Sequence, residues 1–326
     1  LAIILVLLMS LSLFACGNTA AENNSNNNTE EKTPGPTSEV KPGSTVGYMT
    51  DDVDHFSRDP YTFAYMCNDL GWVFNRAIAD NLKKLGEYFN YELLEYACMS
   101  NFDAYINQIM TYANNGIDGL ILGTDDALVT RAFEVCEEYN IPCMAESIAF
   151  VDLNGTIIGA SVVQDQYGNG SLCMEWLAEH YSDYWDTDLS DSSTVGLIPI
   201  TFSGVTGIND RVPGITDTFK EAFPNSADNI FIADLVSTGF SVQGAYDLVS
   251  SQITSTDGID KWFIVACVDD WATGATRAVE SVGMEDDVLI TCVQGNAFVN
   301  EMNSGYTGNT WVSCCYIPEK DFSENM

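Results

Sequence analysis

The feature that most constrains the fold of this chain is a regular alternation of short β-branched runs with longer segments whose apolar residues recur at helical spacing. The predicted strands are 46–49, 91–96, 119–123, 141–144, 195–200, 230–234, 262–268 and 288–293. The predicted helices are 73–89, 105–112, 127–139, 170–180, 212–222, 242–253 and 272–282. Two such series in succession predict an α/β fold of two doubly wound parallel-sheet lobes joined by a hinge.

The order of these segments also predicts the lobe boundaries. We expect an N-terminal lobe from 44–161 together with 314–326, and a C-terminal lobe from 162–313. Hinge crossings are then expected near 161–163 and near 312–314. Because ligands of open parallel sheets bind beyond the carboxyl ends of the strands, two facing sheets predict a binding cleft between the lobes.

The segment before the first predicted strand has the pattern of an export signal. An apolar run from Leu1 to Phe14 is shorter than the ~20 residues that span a bilayer, and it leads directly to Cys16. This ending resembles a bacterial lipobox, in which Cys16 is lipidated and becomes the mature N-terminus; a single buried strand is the alternative. Residues 17–43 contain few apolar side chains and predict a disordered linker. We therefore expect an extracytoplasmic protein that is lipid-anchored to the cell membrane.

Charge and cysteine usage exclude several classes of protein. The 47 acidic and 12 basic side chains give a net charge of −35, which repels phosphate backbones and excludes nucleic acid as an expected partner. Apart from Cys16, nine cysteines lie at irregular spacing, many in apolar runs such as 263–267 and 289–293. This distribution predicts buried free thiols and no disulfide framework.

The sequence offers little support for catalysis. Its only histidines are His55 and His180, so a multi-histidine metal centre is excluded. It contains no phosphate-binding Gly-Lys-Ser/Thr loop, no nucleophile elbow and no Cys-x-x-Cys pair. We expect no catalytic residue, no cofactor and no metal. A glycan-degrading or redox enzyme that uses the loop 50–71 stays open as an alternative, which turnover of a candidate ligand would favour.

Four separated stretches carry a family resemblance. They are Gly116–Leu122 followed by Ile141-Pro142, Arg211–Ile215, Val268–Ala275 and Val288–Gly295. In this order and spacing they resemble the type I periplasmic-type sugar-binding proteins, including the ribose- and galactose-binding kinds. The resemblance implies the periplasmic binding protein type I fold and the capture of a monosaccharide between two lobes by a monomeric lipoprotein that serves an ABC permease. A sugar or nucleoside sensor that feeds a membrane histidine kinase or chemoreceptor is the alternative.

The C-terminus departs from this family pattern. Members continue past a stretch like 304–311 with a further helix and a last hinge strand, whereas this sequence ends at Met326. We therefore expect the chain to be C-terminally truncated, and recovery of the downstream reading frame tests this.

The resemblance implies ligand contacts in the C-terminal lobe. Arg211 stands where the family has a ligand-gripping arginine, whose five donors can hold two adjacent hydroxyls or a carboxylate; a salt bridge is the alternative. Asp269 and Asp270 lie at a turn where the family places a sugar-binding Asn or Asp, although Asp269 could serve only as an N-cap. Trp271 would form a stacking wall or else pack in the core.

Further expected contacts differ from the family pattern. Gln294 stands where the family usually has Asp, Ser313 where it has Gln or Asn, and Val268 where it has Asn. Ser147, at the end of the fourth strand run, is a further expected contact. These differences imply a ligand, or a hydroxyl pattern, other than that of ribose or galactose.

The predicted first strand-to-helix connection, 50–71, is far longer than the 2 to 6 residues typical of such turns. In the family this connection supplies an aromatic cover and a polar grip, so Asp51, Asp52 and Phe56 are expected ligand contacts; a solvated loop is the alternative. Neither this loop nor the segment 186–191 has the full calcium-loop pattern, so a calcium site is disfavoured at both.

Overall fold

The computed structural model describes residues 54–124, 126–152 and 154–326. Several predictions fall outside these ranges. They are the signal segment with Cys16, the linker 17–43, the strand 46–49, and the contacts Asp51 and Asp52.

The first lobe is built on a five-stranded parallel sheet in the order β2-β1-β3-β4-β5. Its strands are β1 (Tyr61–Cys67), β2 (Tyr91–Ala97), β3 (Gly119–Leu122), β4 (Cys143–Ser147) and β5 (Ser161–Val163), and its helices are α1 (Val73–Phe89), α2 (Phe102–Asn114) and α3 (Asp126–Tyr139). Helix α1 buries a stripe formed by Ile78, Ala79 and Leu82 against one face of the sheet, as expected for an amphipathic crossover helix. From β1 the chain adds β2 on one side and β3, β4 and β5 on the other. In open parallel sheets, ligands bind in the crevice at such a switch point.

The position of β1 corrects the sequence-based prediction for 50–71. That segment was predicted to be a loop, but Tyr61–Cys67 pairs along its full length with β2. Its last four residues are buried, which the aromatic-rich sequence supports. The connection from β1 to α1 is therefore the short segment 68–72, of ordinary length for a β-to-α turn.

The second lobe is built on another five-stranded parallel sheet, in the order β10-β9-β8-β6-β7. Its strands are β6 (Val195–Thr201), β7 (Ala233–Asp234), β8 (Lys261–Ala266), β9 (Val288–Val293) and β10 (Trp311–Cys315). The helices are α4 (Gln166–His180), α5 (Thr206–Asn209), α6 (Arg211–Ala222), α7 (Val242–Ser255), α8 (Asp269–Val282) and α9 (Asn296–Asn303). Every residue of β6 and β9 is buried, because helices cover both faces of this sheet. The α/β architecture of two parallel-sheet lobes is thus confirmed.

Two glycines bring α4 and α6 into close contact. A Cβ atom at Gly170 would collide with the carbonyl oxygen of Arg211, and one at Gly214 would collide with that of Tyr167. The backbones of the two helices can approach this closely only because both positions are glycine. The approach places the start of α4, at Gln166, beside the start of α6, at Arg211.

The chain passes between the lobes twice within the described residues. The first passage follows β5, because α4 already packs on the second sheet. The second follows β10, because α10 (Glu319–Glu324) packs against α1 of the first lobe. Residues 312–314, expected at a hinge crossing, lie inside β10. None of the described helices combines the length and the apolar character needed to cross a membrane.

Candidate ligand-binding cleft

A cavity of about 330 Å³ lies where the carboxyl ends of the two sheets meet. Its walls are formed largely by residues that follow a strand in either lobe. In the first lobe these are Asn68, Ser100, Gly123 and Ser147, and in the second they are Phe202, Val268, Asp269 and Gln294. This is the position that open parallel sheets offer to ligands, and the volume is at the lower end of the range for small-molecule sites.

Arg211 is a buried charged residue in the second-lobe wall. Its Nε donates to Oε1 of Gln166 at 2.7 Å, its Nη2 donates to Oε1 of Gln164 at 3.2 Å, and its Nη1 donates to the carbonyl oxygen of Cys267. All three acceptors are uncharged, and burial lowers the pKa of the guanidinium. Because a guanidinium has five N–H groups, two of those of Arg211 have no acceptor among the described residues.

With the carboxylates that the structure describes, Arg211 does not form the salt bridge that was the alternative to its expected ligand role. No carboxylate lies within ion-pair distance of it among the described residues. Gln164 lies between β5 and α4, and Gln166 is the first residue of α4, so the residues that orient Arg211 lie at a passage between the lobes. Sequence reasoning had not identified either glutamine.

Asp269 lines the cavity but is held by the backbone. Its Oδ2 accepts from the N–H of Ala297 at 2.7 Å, in the first turn of α9, and its Oδ1 accepts from the N–H of Asp270 at 3.1 Å. Burial raises the pKa of the Asp269 carboxyl to about 6. The residue thus links the first turns of α8 and α9. Asp270 also lines the cavity, and burial raises the pKa of its carboxyl too.

Trp271 and Ser313 do not line the cavity. Trp271 is fully buried and packs edge-on against Phe240 at 4.8 Å between ring centroids, which matches the alternative of core packing. Ser313 donates from its Oγ to Oγ1 of Thr291 at 2.8 Å inside the sheet.

Ser147 and Gln294 both line the cavity in a left-handed backbone conformation. Their φ angles are +66° and +74°. For residues with a Cβ atom this conformation costs free energy, and it concentrates at functional sites. Each residue ends or directly follows a strand, so both backbones turn sharply at the cavity wall.

An aromatic stack joins the two lobes at the cavity. The ring of Trp72, at the start of α1, lies 4.7 Å from that of Phe240, just before α7, with an interplanar angle of 12°. Phe240 is supported by edge contacts with Phe202 and Trp271. Trp72 was not predicted as a cleft residue, because 50–71 was interpreted as a loop. The strand β1 at 61–67 ends at the cleft, and this brings residues 68–72 to it.

Glu146 is a functional candidate that sequence reasoning missed. Only 3% of this residue is exposed, and it lines the cavity at the end of β4. Its Oε1 accepts from Oγ of Ser147, and its Oε2 accepts from the hydroxyl of Tyr65 at 3.4 Å. Burial raises the pKa of its carboxyl to about 7. The available signal was a glutamate directly after the apolar residues 141–145.

The placement of Phe56 corrects another expectation. Phe56 lies in a short helical turn, His55–Ser57, which precedes the amino end of β1. It is 65% exposed and does not line the cavity, which lies at the carboxyl end of that strand. The long loop that was expected to carry Phe56 into the cleft does not exist in the described residues.

Among the described residues, no group of three or more His, Cys, Asp and Glu side chains is arranged to hold a metal ion. In the acidic segment 186–191, Asp188 instead accepts a hydrogen bond from the N–H of Ser190. This contact forms a tight turn.

Neither a family model nor a curated protein sequence matches this chain. Its structure does resemble solved solute-binding proteins. One is an ABC transporter periplasmic solute-binding protein from Actinobacillus succinogenes with bound D-allose. It is 18% identical with a TM-score of 0.63, and the match covers 81% of this chain and 88% of that one.

Two further structures show the same similarity. The periplasmic component of the arabinose ABC transporter from Shewanella sp., bound to L-arabinofuranose, matches with 14% identity and a TM-score of 0.63, over 80% of this chain and 82% of that one. An ABC transporter solute-binding protein from Bacillus halodurans with bound myo-inositol matches with 18% identity and a TM-score of 0.59, over 82% and 99%. All three similar proteins are solute-binding components of ABC transporters. The described chain has the fold of the type I periplasmic solute-binding proteins.

Proposed function

We propose that this chain is the solute-binding component of a sugar ABC transporter and that it holds a small hydroxylated solute in the cleft. The observation that carries the proposal is the cavity at the carboxyl ends of both sheets, into which Arg211 can direct two N–H groups. The solute class is a monosaccharide or a polyol of similar size. The similar structures with bound D-allose, L-arabinofuranose and myo-inositol support this class.

The chemistry of the walls also supports a sugar. Planar amide and guanidinium groups match pairs of hydroxyls, whereas aromatic rings cover the C–H faces of a sugar ring. Gln164, Gln166 and Arg211 supply the first kind of group, and Trp72 and Phe240 supply the second.

The proposed mechanism is closure of the lobes about the two passages of the chain. A solute that contacts both walls gains those contacts together only in the closed form, so binding shifts the population toward closure. The stack of Trp72 on Phe240 joins the two lobes beside the cavity, and in this mechanism it forms when the lobes close.

Delivery is proposed to occur outside the cytoplasmic membrane. Lipidation of Cys16 would tether the monomeric protein beside its permease, with residues 17–43 as the linker. Replacement of Cys16 by Ser should move the protein from the membrane fraction to the soluble fraction of the host. Retention of the variant in the membrane would contradict the anchor.

Thermal melting of the purified protein tests the binding function. The probes are D-allose, L-arabinose, myo-inositol and a set of nucleosides. A solute at about a thousandfold over its dissociation constant stabilises the folded state by ~4 kcal/mol, or several degrees in melting temperature. A selective shift with one sugar or polyol is expected. A cooperative melt that no sugar or polyol shifts would contradict the proposal.

A further inference from the structure

Glu146 is a buried acid that faces the cavity without a cation. Its hydrogen-bond partners are two hydroxyl groups, those of Ser147 and Tyr65. The other titratable groups near it are Cys67 on β1 and Tyr105 on α2. Burial first and then the charge of Glu146 and other neighbours raise the pKa values of both, so both are neutral at pH 7. No Lys, Arg or His forms an ion pair with Glu146 within the described residues.

The neighbouring strand leaves room for this carboxyl group. Gly123 directly follows β3, and a Cβ atom at this position would collide with Oε2 of Glu146. Any side chain at 123 would therefore displace the carboxyl group. Gly123 and Glu146 both line the cavity, so the glycine and the glutamate together form one built feature of the first-lobe wall.

A buried carboxylate whose two partners are uncharged hydroxyl groups has unused acceptor capacity. An ionised carboxylate has about four acceptor sites, and two hydroxyls occupy two of them. Burying such a group without further partners is unfavourable, and hydrogen bonds to charged groups are the stronger kind. A solute that supplies donors would satisfy the carboxylate at the moment of binding.

We propose that Glu146 is a specificity-determining residue of the cleft, whose carboxylate accepts hydrogen bonds from a pair of adjacent hydroxyl groups of the bound solute. This inference rests on the proposed function and names the part of the solute that the first lobe recognises. Arg211 grips the solute from the second lobe with donors, and Glu146 grips it from the first lobe with acceptors. The cleft thereby selects solutes that carry a 1,2-diol facing the first lobe.

The assignment predicts that binding releases a proton. Because burial raises the pKa of Glu146 to about 7, the ionised fraction of the free protein rises from roughly a tenth at pH 6 to nine tenths at pH 8. A solute that binds the carboxylate should therefore bind about tenfold more tightly at pH 8 than at pH 6. At pH 7 its binding should release about half a proton.

The experiment is isothermal titration of the purified full chain with D-allose, L-arabinose and myo-inositol at pH 6, 7 and 8. Titrations in two buffers of different ionisation enthalpy count the protons released. Glu146→Gln keeps the size of the side chain and removes the charge, and Glu92→Gln is the matched control because Glu92 is exposed on β2. Melting without solute shows whether each variant folds.

The expected result is that Glu146→Gln weakens binding at pH 8 by tenfold or more and abolishes most of the proton release, whereas Glu92→Gln changes neither. In Glu146→Gln, the affinity should still change somewhat near pH 6, because the carboxyl of Asp269 has a pKa of about 6 and also lines the cavity. The wild-type proton count carries the test even if Glu146→Gln fails to fold.

Three outcomes would overturn the inference. Equal affinity and equal proton release in wild type and Glu146→Gln would overturn it while leaving the proposed function intact. Tighter wild-type binding at pH 6 than at pH 8 would show that the protonated acid donates to the solute instead. Failure of all three solutes to bind wild type would count against the proposed function itself, and the inference would fall with it.

Discussion

The two lobes present opposite kinds of charged group to the same cavity. In the second lobe, Arg211 is already held by three uncharged acceptors before any solute binds. In the first lobe, Glu146 is buried with only two hydroxyl partners. The second lobe therefore supplies an oriented donor, whereas the first supplies a carboxyl group that the proposed ligand would ionise on binding.

The hydrophobic core is continuous in the second lobe and divided in the first. A single buried cluster runs through the second lobe, from α4 to β10. The first lobe has two separate clusters, one that includes α2 and α3 residues and one that includes α1 residues. We expect the second lobe to tolerate fewer changes at the cleft, because its charged residue is embedded in a continuous core.

The largest expected effect is the loss of Arg211. Arg211→Ala removes two ligand donors and leaves the carbonyl oxygen of Cys267 without its partner. Binding should weaken by a hundredfold or more, and the free energy of unfolding should fall by about 2 kcal/mol. Titration with the best-binding sugar and urea unfolding measure the two changes. Arg277→Ala, at an exposed position of α8, should change neither quantity. A comparable loss of affinity in Arg277→Ala would show that the effect is not specific to Arg211.

The second prediction concerns Asp269 and pH. Its carboxyl pKa lies at about 6, above the ordinary 3.8, so the folded state holds this proton more tightly than the unfolded chain. The free energy of unfolding should therefore fall as pH rises from about 4 to 6, by about 2 kcal/mol for this group. Asp269→Asn keeps an acceptor for the N–H of Ala297 and should remove that part of the slope. Denaturant unfolding at several pH values measures it, and Asp257→Asn is the exposed control. An unchanged slope in Asp269→Asn would contradict the prediction.

A smaller effect is expected where the lobes touch. Trp72→Ala removes the stack on Phe240, and aromatic pairs contribute about 0.5–1.5 kcal/mol beyond their burial. The variant should populate a more open form and bind sugar several-fold more weakly. Small-angle scattering without ligand and titration with ligand measure these changes. Trp176→Ala is the matched control, because Trp176 stacks on His180 within α4. Identical scattering from Trp72→Ala and wild type would show that the stack does not hold the lobes together.

The smallest effect is expected on the outer side of the first lobe. Hydrogen bonds from Arg76, helped by Lys83, lower the pKa of Glu95 to about 2. Its stabilising contribution is present above pH 4.5 and is lost as pH falls toward 2. Because the cations are partly exposed, Glu95→Gln should cost about 0.5–1 kcal/mol at pH 7. Urea unfolding of this variant beside Glu92→Gln measures the difference. A fall of more than 2 kcal/mol in the free energy of unfolding would contradict this prediction, because it would show that ion pairs at the surface contribute more to the stability of the first lobe than expected.

Much of the fold could be predicted because it depends on local periodicity. The helices 73–89 and 242–253 were predicted within two residues of α1 and α7, since their apolar spacing repeats over several turns. The strand 230–234 was predicted too long, because only Ala233–Asp234 pairs as a strand and Ile230 forms an isolated bridge with Leu197. Edge strands of this kind carry little signal in the sequence.

The candidate site was predictable mainly where a family-like stretch marked it, although Ser147 was expected without such a stretch and also lines the cavity. Arg211, Asp269 and Gln294 lie in stretches that resemble a family, and the structure brings all three to the cavity wall. Glu146 carried no motif, because burial decides its chemistry and burial depends on β3 and α2 packing beside it. The stack of Trp72 on Phe240 joins residues far apart in sequence, so no local pattern could reveal it.

By itself the sequence determined the α/β alternation, the two parallel series and the helix faces, because apolar spacing at periods of two and 3.6 acts over a few residues. The tertiary structure was needed to show that 61–67 is a central strand, that Phe56 lies away from the cleft, and that Glu146, which has no cation partner among the described residues, faces the cavity. The physical reason is that strand pairing and burial arise from contacts between distant segments. Those contacts also determine the pKa values and the acceptor capacity with which the cleft recognises a solute.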